Sequence, residues 1–241
     1  MRAAGAVAGR ILYELTELMK PGLSTKEIDL FVEDAILAEG MAATFKGYNG
    51  FPGSACVSVN EELVHGIPKE ARVLVEGDIV SVDIGVTNKG WISDAARTYA
   101  IGEVSDTAAR MIKSSKESFF DGLKYCRAGN RLSDVGHAIQ TRVEEDGFTV
   151  VLEYAGHGVG SKLHEDPQIK NYGDPGRGPK LAKGMALAIE PMINEGVADV
   201  KKLDDGWTVV TTDGKLAAHY ENTVIITDGE PMVITLDERD G

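Results

Sequence analysis

An internal repeat is the feature of this sequence that most constrains its fold. An amphipathic segment over residues 23–40 is echoed over residues 132–147, and each opens on Leu-Ser and stops at a glycine. A glycine-led apolar run that ends in an acid over residues 77–83 is echoed over residues 184–190. Both echoes lie roughly 110 positions apart, which a duplicated unit explains better than chance similarity between amphipathic segments.

Local periodicity predicts which elements each half contains. Apolar residues recur at helical spacing over residues 2–20, and again after Ser24 and Glu27, which have capping-box spacing. Strand-like runs over residues 77–86 and 90–101 flank a turn and predict a hairpin.

The repeat and the element order together predict an α+β fold. We expect one domain over residues 1–241, in which two halves of about 1–110 and 111–241 are related by a pseudo-twofold axis. Each half would be a helix-helix-β-hairpin unit.

Bulk composition excludes several classes of protein. Hydrophobic residues make up 43% of the chain and charged residues 26%, as in ordinary globular domains. The formal net charge of -13 repels phosphates, so no direct nucleic-acid or membrane partner is expected. No apolar run has the roughly 18 residues that cross a bilayer, and no signal-like segment opens the chain. The two cysteines, Cys56 and Cys126, are too few for a disulfide framework and favour a cytoplasmic location.

Several acids interrupt apolar strand sequences. Asp83, Glu190 and Glu221 each stand in a run of β-branched or aliphatic residues, and Asp94 lies across the predicted hairpin from Asp83. A lone buried carboxylate costs several kcal/mol, so these acids should be paired, hydrogen-bonded or bound to metal. Half-exposed positions are the alternative for any one of them, but not easily for all.

A histidine with glycines on both sides completes this set. His157 lies in Gly156-His157-Gly158-Val159-Gly160, where the glycines permit close backbone approach. Carboxylates with one imidazole suit two divalent ions such as Co, Mn, Fe(II) or Zn, whereas a calcium site would need no imidazole. Two such ions about 3.5–4 Å apart can bridge a water, lower its pKa and polarise a carbonyl. The composition of the set therefore indicates hydrolysis.

Six short strings follow one another in the chain, over residues 60–68, 77–83, 93–94, 156–160, 189–192 and 220–223. In this order and spacing they resemble the type I methionine aminopeptidases, which belong to the pita-bread group with prolidase and aminopeptidase P. The resemblance covers nearly the whole chain and implies a curved antiparallel sheet.

The resemblance implies a role for each metal-binding candidate. Asp83 resembles the terminal ligand of one ion, and His157 with Glu190 resembles the ligands of the other. Asp94 and Glu221 resemble the bridging carboxylates. Glu190 is also expected to help move the proton of the attacking water.

The resemblance also implies residues that face the substrate. His164 resembles the residue that hydrogen-bonds the scissile carbonyl and its tetrahedral intermediate, and His65 resembles a histidine that contacts the substrate backbone. The positions that match the methionine pocket are Tyr48, Phe51, Cys56 and Trp207. Ordinary core packing is the alternative for each of these four side chains.

His219 departs from the family pattern. It lies two residues before Glu221, where relatives are expected to carry glutamine more often. On an uninterrupted strand both side chains would share a face, so His219 is expected to orient Glu221 from outside the ligand set, with direct ligation as the weaker alternative.

The function implied is removal of the initiator methionine from nascent polypeptides whose second residue is small. Transient ribosome proximity and a monomeric state are expected from the family alone. Two alternatives remain: an enzyme of the prolidase branch, and a catalytically silent binding protein that kept the fold. The chain is short for the first, and the full ligand set argues against the second.

Overall fold

A computed structural model describes residues 1–239 of the chain. Within that range four α-helices occur, α1 (Arg2–Leu18), α2 (Thr25–Ala38), α3 (Asp106–Leu123) and α4 (Leu132–Glu145). The predicted capping box is confirmed: the Ser24 hydroxyl accepts from the Glu27 backbone N–H, and the Glu27 carboxylate accepts from Ser24. No helix in residues 1–239 is long and apolar enough to cross a membrane.

Short strands make up the rest of the regular structure. They are β1 (Ala42–Ala43), β2 (Ala55–Val59), β3 (Glu62–Val64), β4 (Ile79–Asn88), β5 (Trp91–Ala100), β6 (Thr149–Val150), β7 (Gly156–Gly158), β8 (Glu165–Ile169), β9 (Ala186–Ile189), β10 (Met192–Asn194), β11 (Val200–Lys202), β12 (Val209–Thr211), β13 (Ala217–His219), β14 (Glu221–Ile225) and β15 (Met232–Val233). In the described part of the chain a single 3-10 turn, Tyr48–Gly50, precedes β2.

One large antiparallel sheet joins the two halves of the chain. Its order is β1-β4-β5-β14-β9-β7-β8, with β2 also paired to β4 and β15 to β14. The predicted β4–β5 hairpin is confirmed, and its turn residues Lys89 and Gly90 both have positive φ, as a tight two-residue hairpin turn requires. Two smaller sheets, β13-β10-β6 and β11-β12-β3, extend the structure.

The repeat predicted from the sequence reappears as matching hydrogen bonds. Gly22 donates to the Leu74 carbonyl, and Gly129 donates in the same way to Leu181. The two donors are 107 positions apart, from 22 to 129, and so are the two acceptors, from 74 to 181.

The first residues of the repeated helices are aligned differently from the prediction. Ser24 caps α2, and its structural counterpart is Arg131, which caps α4, rather than Ser133. The reason is that Asp134 accepts from the Arg131 backbone N–H, whereas the Ser133 hydroxyl bonds the backbone of Arg177. The Leu-Ser pairs of the sequence are therefore two residues out of register.

The helices cover one face of the large sheet with two apolar cores. The first core includes Ile11 of α1, Ile28 of α2 and Val82 of β4. The second includes Phe119 of α3 and residues of α4 and β14. Because side chains alternate along a strand, Val82 faces the helices and Asp83 faces the opposite side. The face of the sheet turned away from the helices therefore carries Asp83.

Candidate metal centre

Four neighbouring strands bring their acids together where the two halves meet. Asp83 of β4 and Glu221 of β14 are both paired with Ala96 of β5, one on each side. Asp94 lies two residues before Ala96 and shares its face. Glu190 follows β9 and would continue that ladder opposite Glu221, since the last registered pair is Ile189 with Asn222. The register therefore explains why four distant acids converge.

His157 approaches this cluster from β7. A Cβ on Gly156 would lie 2.4 Å from the Ala188 carbonyl, so the backbone approach that positions His157 requires glycine there. His157 Nδ1 lies 2.9 Å from the Gly158 carbonyl oxygen, which can only accept, so Nδ1 carries the proton. Nε2 is then a bare lone pair, and it lies 3.5 Å from Glu190 Oε1 and 3.8 Å from Asp94 Oδ2.

Burial raises the pKa values of the clustered carboxyls. The pKa of Asp94 rises from its ordinary 3.8 to about 7 because the side chain loses solvent. Desolvation, then repulsion from neighbouring carboxylates, raises the pKa values of Asp83, Glu190 and Glu221. Like charges held this close disfavour ionisation unless cations are bound.

The cluster fits divalent ions on its own chemistry. Buried oxygens of Asp83, Asp94 and Glu221 have no hydrogen-bond partner among the described residues. Ligand atoms of Asp94, His157 and Glu221 lie within 4.8 Å of one another. A bound metal ion would satisfy these unpaired acceptors and the bare imidazole nitrogen, whereas a polar network without metal leaves them unpaired.

His219 lies beside the cluster although its strand is interrupted. Tyr220 separates β13 from β14, so His219 and Glu221 belong to different sheets. Its Nε2 atom nevertheless lies 3.7 Å from Glu190 Oε2 and 3.9 Å from Glu221 Oε2. Loss of solvent lowers the pKa of His219 to about 3, so the ring is neutral. Its role as an orienting residue remains a prediction.

A cavity of about 230 Å³ opens onto the acids. One wall consists of the residues expected in the substrate pocket: Tyr48, Phe51, Cys56 and Trp207. The Phe51 and Trp207 rings meet edge to face with centroids 5.1 Å apart. Acids and aromatic side chains thus line the same cavity.

His65 and His164 line the same cavity. His65 has φ 60, a left-handed conformation that is uncommon outside glycine and frequent at functional sites. Its ring packs edge-on against Tyr154 and Trp207, and desolvation lowers its pKa to about 4. Desolvation also lowers the pKa of His164, whose Nδ1 lies 2.8 Å from the Tyr48 hydroxyl.

Five residues that line the cavity escaped the sequence analysis: Phe45, Asn49, Tyr154, Ala155 and Leu163. Tyr154 and Ala155 had a signal, since they directly precede the glycine-rich string around His157. Phe45 and Leu163 lie outside strands, where no periodicity marks them.

An acid-rich centre with an imidazole, open to a cavity, has the chemistry of a metal-dependent hydrolase. The Peptidase_M24 model, described as metallopeptidase family M24, matches residues 1–228. The chain belongs to metallopeptidase family M24, and that membership implies the use of divalent metal.

Relatives and solved structures agree with this assignment. A methionine aminopeptidase of Clostridium acetobutylicum is 54% identical over 99% of this chain and 95% of its own length. Methionine aminopeptidase 1 of Bacillus subtilis is 54% identical over 95% of this chain and 92% of its own. The crystal structure of Thermotoga maritima methionine aminopeptidase superposes with a TM-score of 0.97 at 44% identity, covering 98% of this chain and 95% of that one.

More distant structures share the fold. Xaa-Pro dipeptidase from Bacillus anthracis matches with a TM-score of 0.76 at 24% identity, over 98% of this chain but 59% of that one. The predicted pita-bread fold is confirmed by these likenesses.

Proposed function

We propose that this chain is a methionine aminopeptidase, which removes the N-terminal methionine of nascent polypeptides whose second residue is small. The observation that carries the proposal is the cavity in which Asp83, Asp94, His157, Glu190 and Glu221 meet a wall of aromatic side chains. Such a cavity can hold one apolar side chain beside a hydrolytic centre. The identity to relatives named methionine aminopeptidase supports the same activity.

Two divalent ions, drawn from Co, Mn, Fe(II) and Zn, are the proposed cofactors. Asp83 would hold one ion, His157 and Glu190 would hold the other, and Asp94 and Glu221 would serve both. When bound, such ions polarise a carbonyl and lower the pKa of water toward neutrality, so that hydroxide is available to attack the first peptide bond. The bare Nε2 of His157 supports its place among the ligands, because only a deprotonated nitrogen binds metal.

The remaining polar residues act on protons and on the substrate. Glu190 accepts the proton released by the attacking water, a role supported by the place of its carboxylate on the cavity beside His157. His164 hydrogen-bonds the scissile carbonyl oxygen as charge develops on it. His65 contacts the substrate backbone, which agrees with its strained position on the cavity wall.

The aromatic wall selects the methionine side chain. Tyr48, Phe51, Cys56 and Trp207 surround it, and contacts between a thioether and aromatic rings contribute about 0.3–1.5 kcal/mol each. The free α-amino group of the substrate lies toward the carboxylates. This orientation restricts cleavage to the first peptide bond.

We infer the cellular setting from the family rather than from the geometry of the site. The partners are the N-termini of nascent chains, met near the ribosome in the cytoplasm. The enzyme acts as a monomer. A sedimentation measurement of the purified protein and its recovery with or without ribosomes test these two points.

Release of methionine from Met-Gly-Met-Met is the direct test. Protein stripped of metal is supplied with Mn, Co, Fe(II) or Zn in turn, and at least one ion should restore release. Absence of release with every ion would refute the proposal. Faster cleavage of Xaa-Pro dipeptides than of Met-Ala peptides would place the chain in the prolidase branch.

A ligand variant ties turnover to the acid cluster. Glu221→Ala should lose bound metal and turnover together. Glu144→Ala, on the exposed end of α4, removes an equal charge far from the cavity and should change neither. Full activity in Glu221→Ala would contradict the assignment of the site.

A further inference from the structure

Tyr48, which lines the cavity, contacts a histidine from the other half of the chain. Its hydroxyl lies 2.8 Å from His164 Nδ1, and the two rings are tilted with centroids 5.6 Å apart. Tyr48 belongs to the 3-10 turn before β2, whereas His164 immediately precedes β8. The contact spans 116 positions and joins the two halves of the chain.

The partner of each histidine decides where its proton lies. A neutral imidazole carries one N–H and one lone pair. His157 Nδ1 faces a carbonyl oxygen, which only accepts, so Nδ1 keeps the proton and Nε2 is bare. His164 Nδ1 faces a hydroxyl, which can donate. The Nδ1 atom of His157 therefore faces a group that only accepts, and that of His164 faces a group that can donate. The two ring centroids are 4.4 Å apart.

The hydroxyl of Tyr48 is the natural donor in its pair. An imidazole lone pair is a stronger base than a phenol oxygen, and among residues 1–239 the hydroxyl has no hydrogen-bond partner other than His164. When Tyr48 donates to Nδ1, the imidazole proton must reside on Nε2. Nε2 is also the only ring nitrogen left for a substrate, so His164 presents an N–H donor to the cavity.

We propose that Tyr48 is a positioning residue that holds His164 in the Nε2–H tautomer and in one ring orientation. The inference rests on the proposed function, because a donor at Nε2 is what a developing oxyanion requires. The bare nitrogen of the other tautomer would repel that charge. Tyr48 thereby acquires a role in the reaction distinct from its place in the methionine pocket.

Tyr48→Phe isolates this role, because it keeps the ring and removes the hydroxyl. We expect kcat for a Met-Ala peptide to fall roughly tenfold, the size of one lost hydrogen bond, because that bond fixes both the tautomer and the orientation of His164; KM should change less than about twofold. Tyr172→Phe is the matched control: its hydroxyl donates to the Leu152 carbonyl away from the cavity, and its loss should leave kcat unchanged.

The tautomer is measured directly by ¹⁵N chemical shifts of labelled histidines in zinc-loaded protein, with His164 assigned by its disappearance in His164→Gln. Wild type should show Nε2–H, and Tyr48→Phe should show a mixture of both tautomers. In a His164→Ala background the Tyr48→Phe change should no longer reduce kcat, since the hydroxyl acts through the imidazole.

Several results would overturn the inference. They are an Nδ1–H tautomer of His164 in wild type, an unchanged tautomer and kcat in Tyr48→Phe, and an equal loss of kcat with or without His164. Failure of the wild type to release methionine with any metal would overturn the proposed function and this inference together. Normal release with a wrong tautomer would overturn the Tyr48 assignment alone.

Discussion

Asp94→Asn should stabilise the metal-free protein at neutral pH, although it removes a proposed metal ligand. Asp94 is only 3% exposed, and burial raises its pKa from 3.8 to about 7. Between about pH 4 and about pH 7 the folded protein holds a proton here that the unfolded chain has released. Because the native state binds more protons, the free energy of unfolding falls as pH rises through this window.

The size of the effect follows from the pKa values. A shift of about three units corresponds to about 4 kcal/mol, reached once the pH exceeds about 7. Asp83, Glu190 and Glu221 share the unfavourable burial of charge with Asp94, so replacing Asp94 alone removes only part of it. The figure of about 4 kcal/mol is therefore an upper limit for the gain in the free energy of unfolding. Asparagine has the same shape without the charge. At about 2–4 °C per kcal/mol for a chain of this size, Tm should rise by at most roughly 8–16 °C.

The assay is thermal unfolding in a chelating buffer from about pH 5 to about pH 8. The gain of Asp94→Asn over wild type should be small at the acidic end and should grow with pH. Asp34→Asn, which removes an exposed charge from α2, should stay within about 0.5 kcal/mol of wild type throughout. Adding Mn should reverse the order, since only wild type gains the full stabilisation of bound metal.

A lower Tm of Asp94→Asn at neutral pH in chelator would refute the reasoning. So would a difference between the two proteins that does not change with pH. Either result would mean that the carboxyl is ionised and well solvated, in conflict with its burial.

Three further outcomes are expected. In steady-state kinetics, Trp207→Ala should lower kcat/KM for Met-Ala peptides roughly tenfold, because apolar contact with the substrate is lost, and thermal unfolding should show little change in Tm. Gly136→Ala should destabilise by about 1–3 kcal/mol in urea unfolding, because its Cβ would lie 2.2 Å from the Lys170 carbonyl oxygen. Metal binding near pH 7 should release protons, since the acids are partly protonated without metal. Calorimetry in buffers of different ionisation enthalpy measures this release, and a binding heat that does not depend on the buffer would contradict it.

The helices and the β4–β5 hairpin could be predicted because each depends on local signals. The capping box at Ser24 and the turn at Lys89 lie beside the residues whose conformation they fix. Asp83 and Glu190 could be selected for the same reason, as acids at the ends of apolar runs.

Other parts of the site have no local signal. Asp94 lies in β5, where buried small and polar residues follow one another and alternation is weak. Its place beside Glu221 arises from the pairing of β5 with β14, a contact between the two halves. The interruption at Tyr220 is likewise tertiary, because β13 and β14 join different sheets.

The two halves of the repeat differ at one position that matters for the proposed chemistry. β2 flanks β4 as β7 flanks β9, so the registered pairs Ser58 with Ser81 and His157 with Ala188 occupy equivalent places. Ser58 accepts from the Gly66 backbone N–H, whereas His157 directs a bare nitrogen toward the acids. Duplication therefore supplies carboxylates from both halves but an imidazole from only one. Two ions bound there would have unlike ligands, because the symmetry of the fold does not extend to the donor atoms.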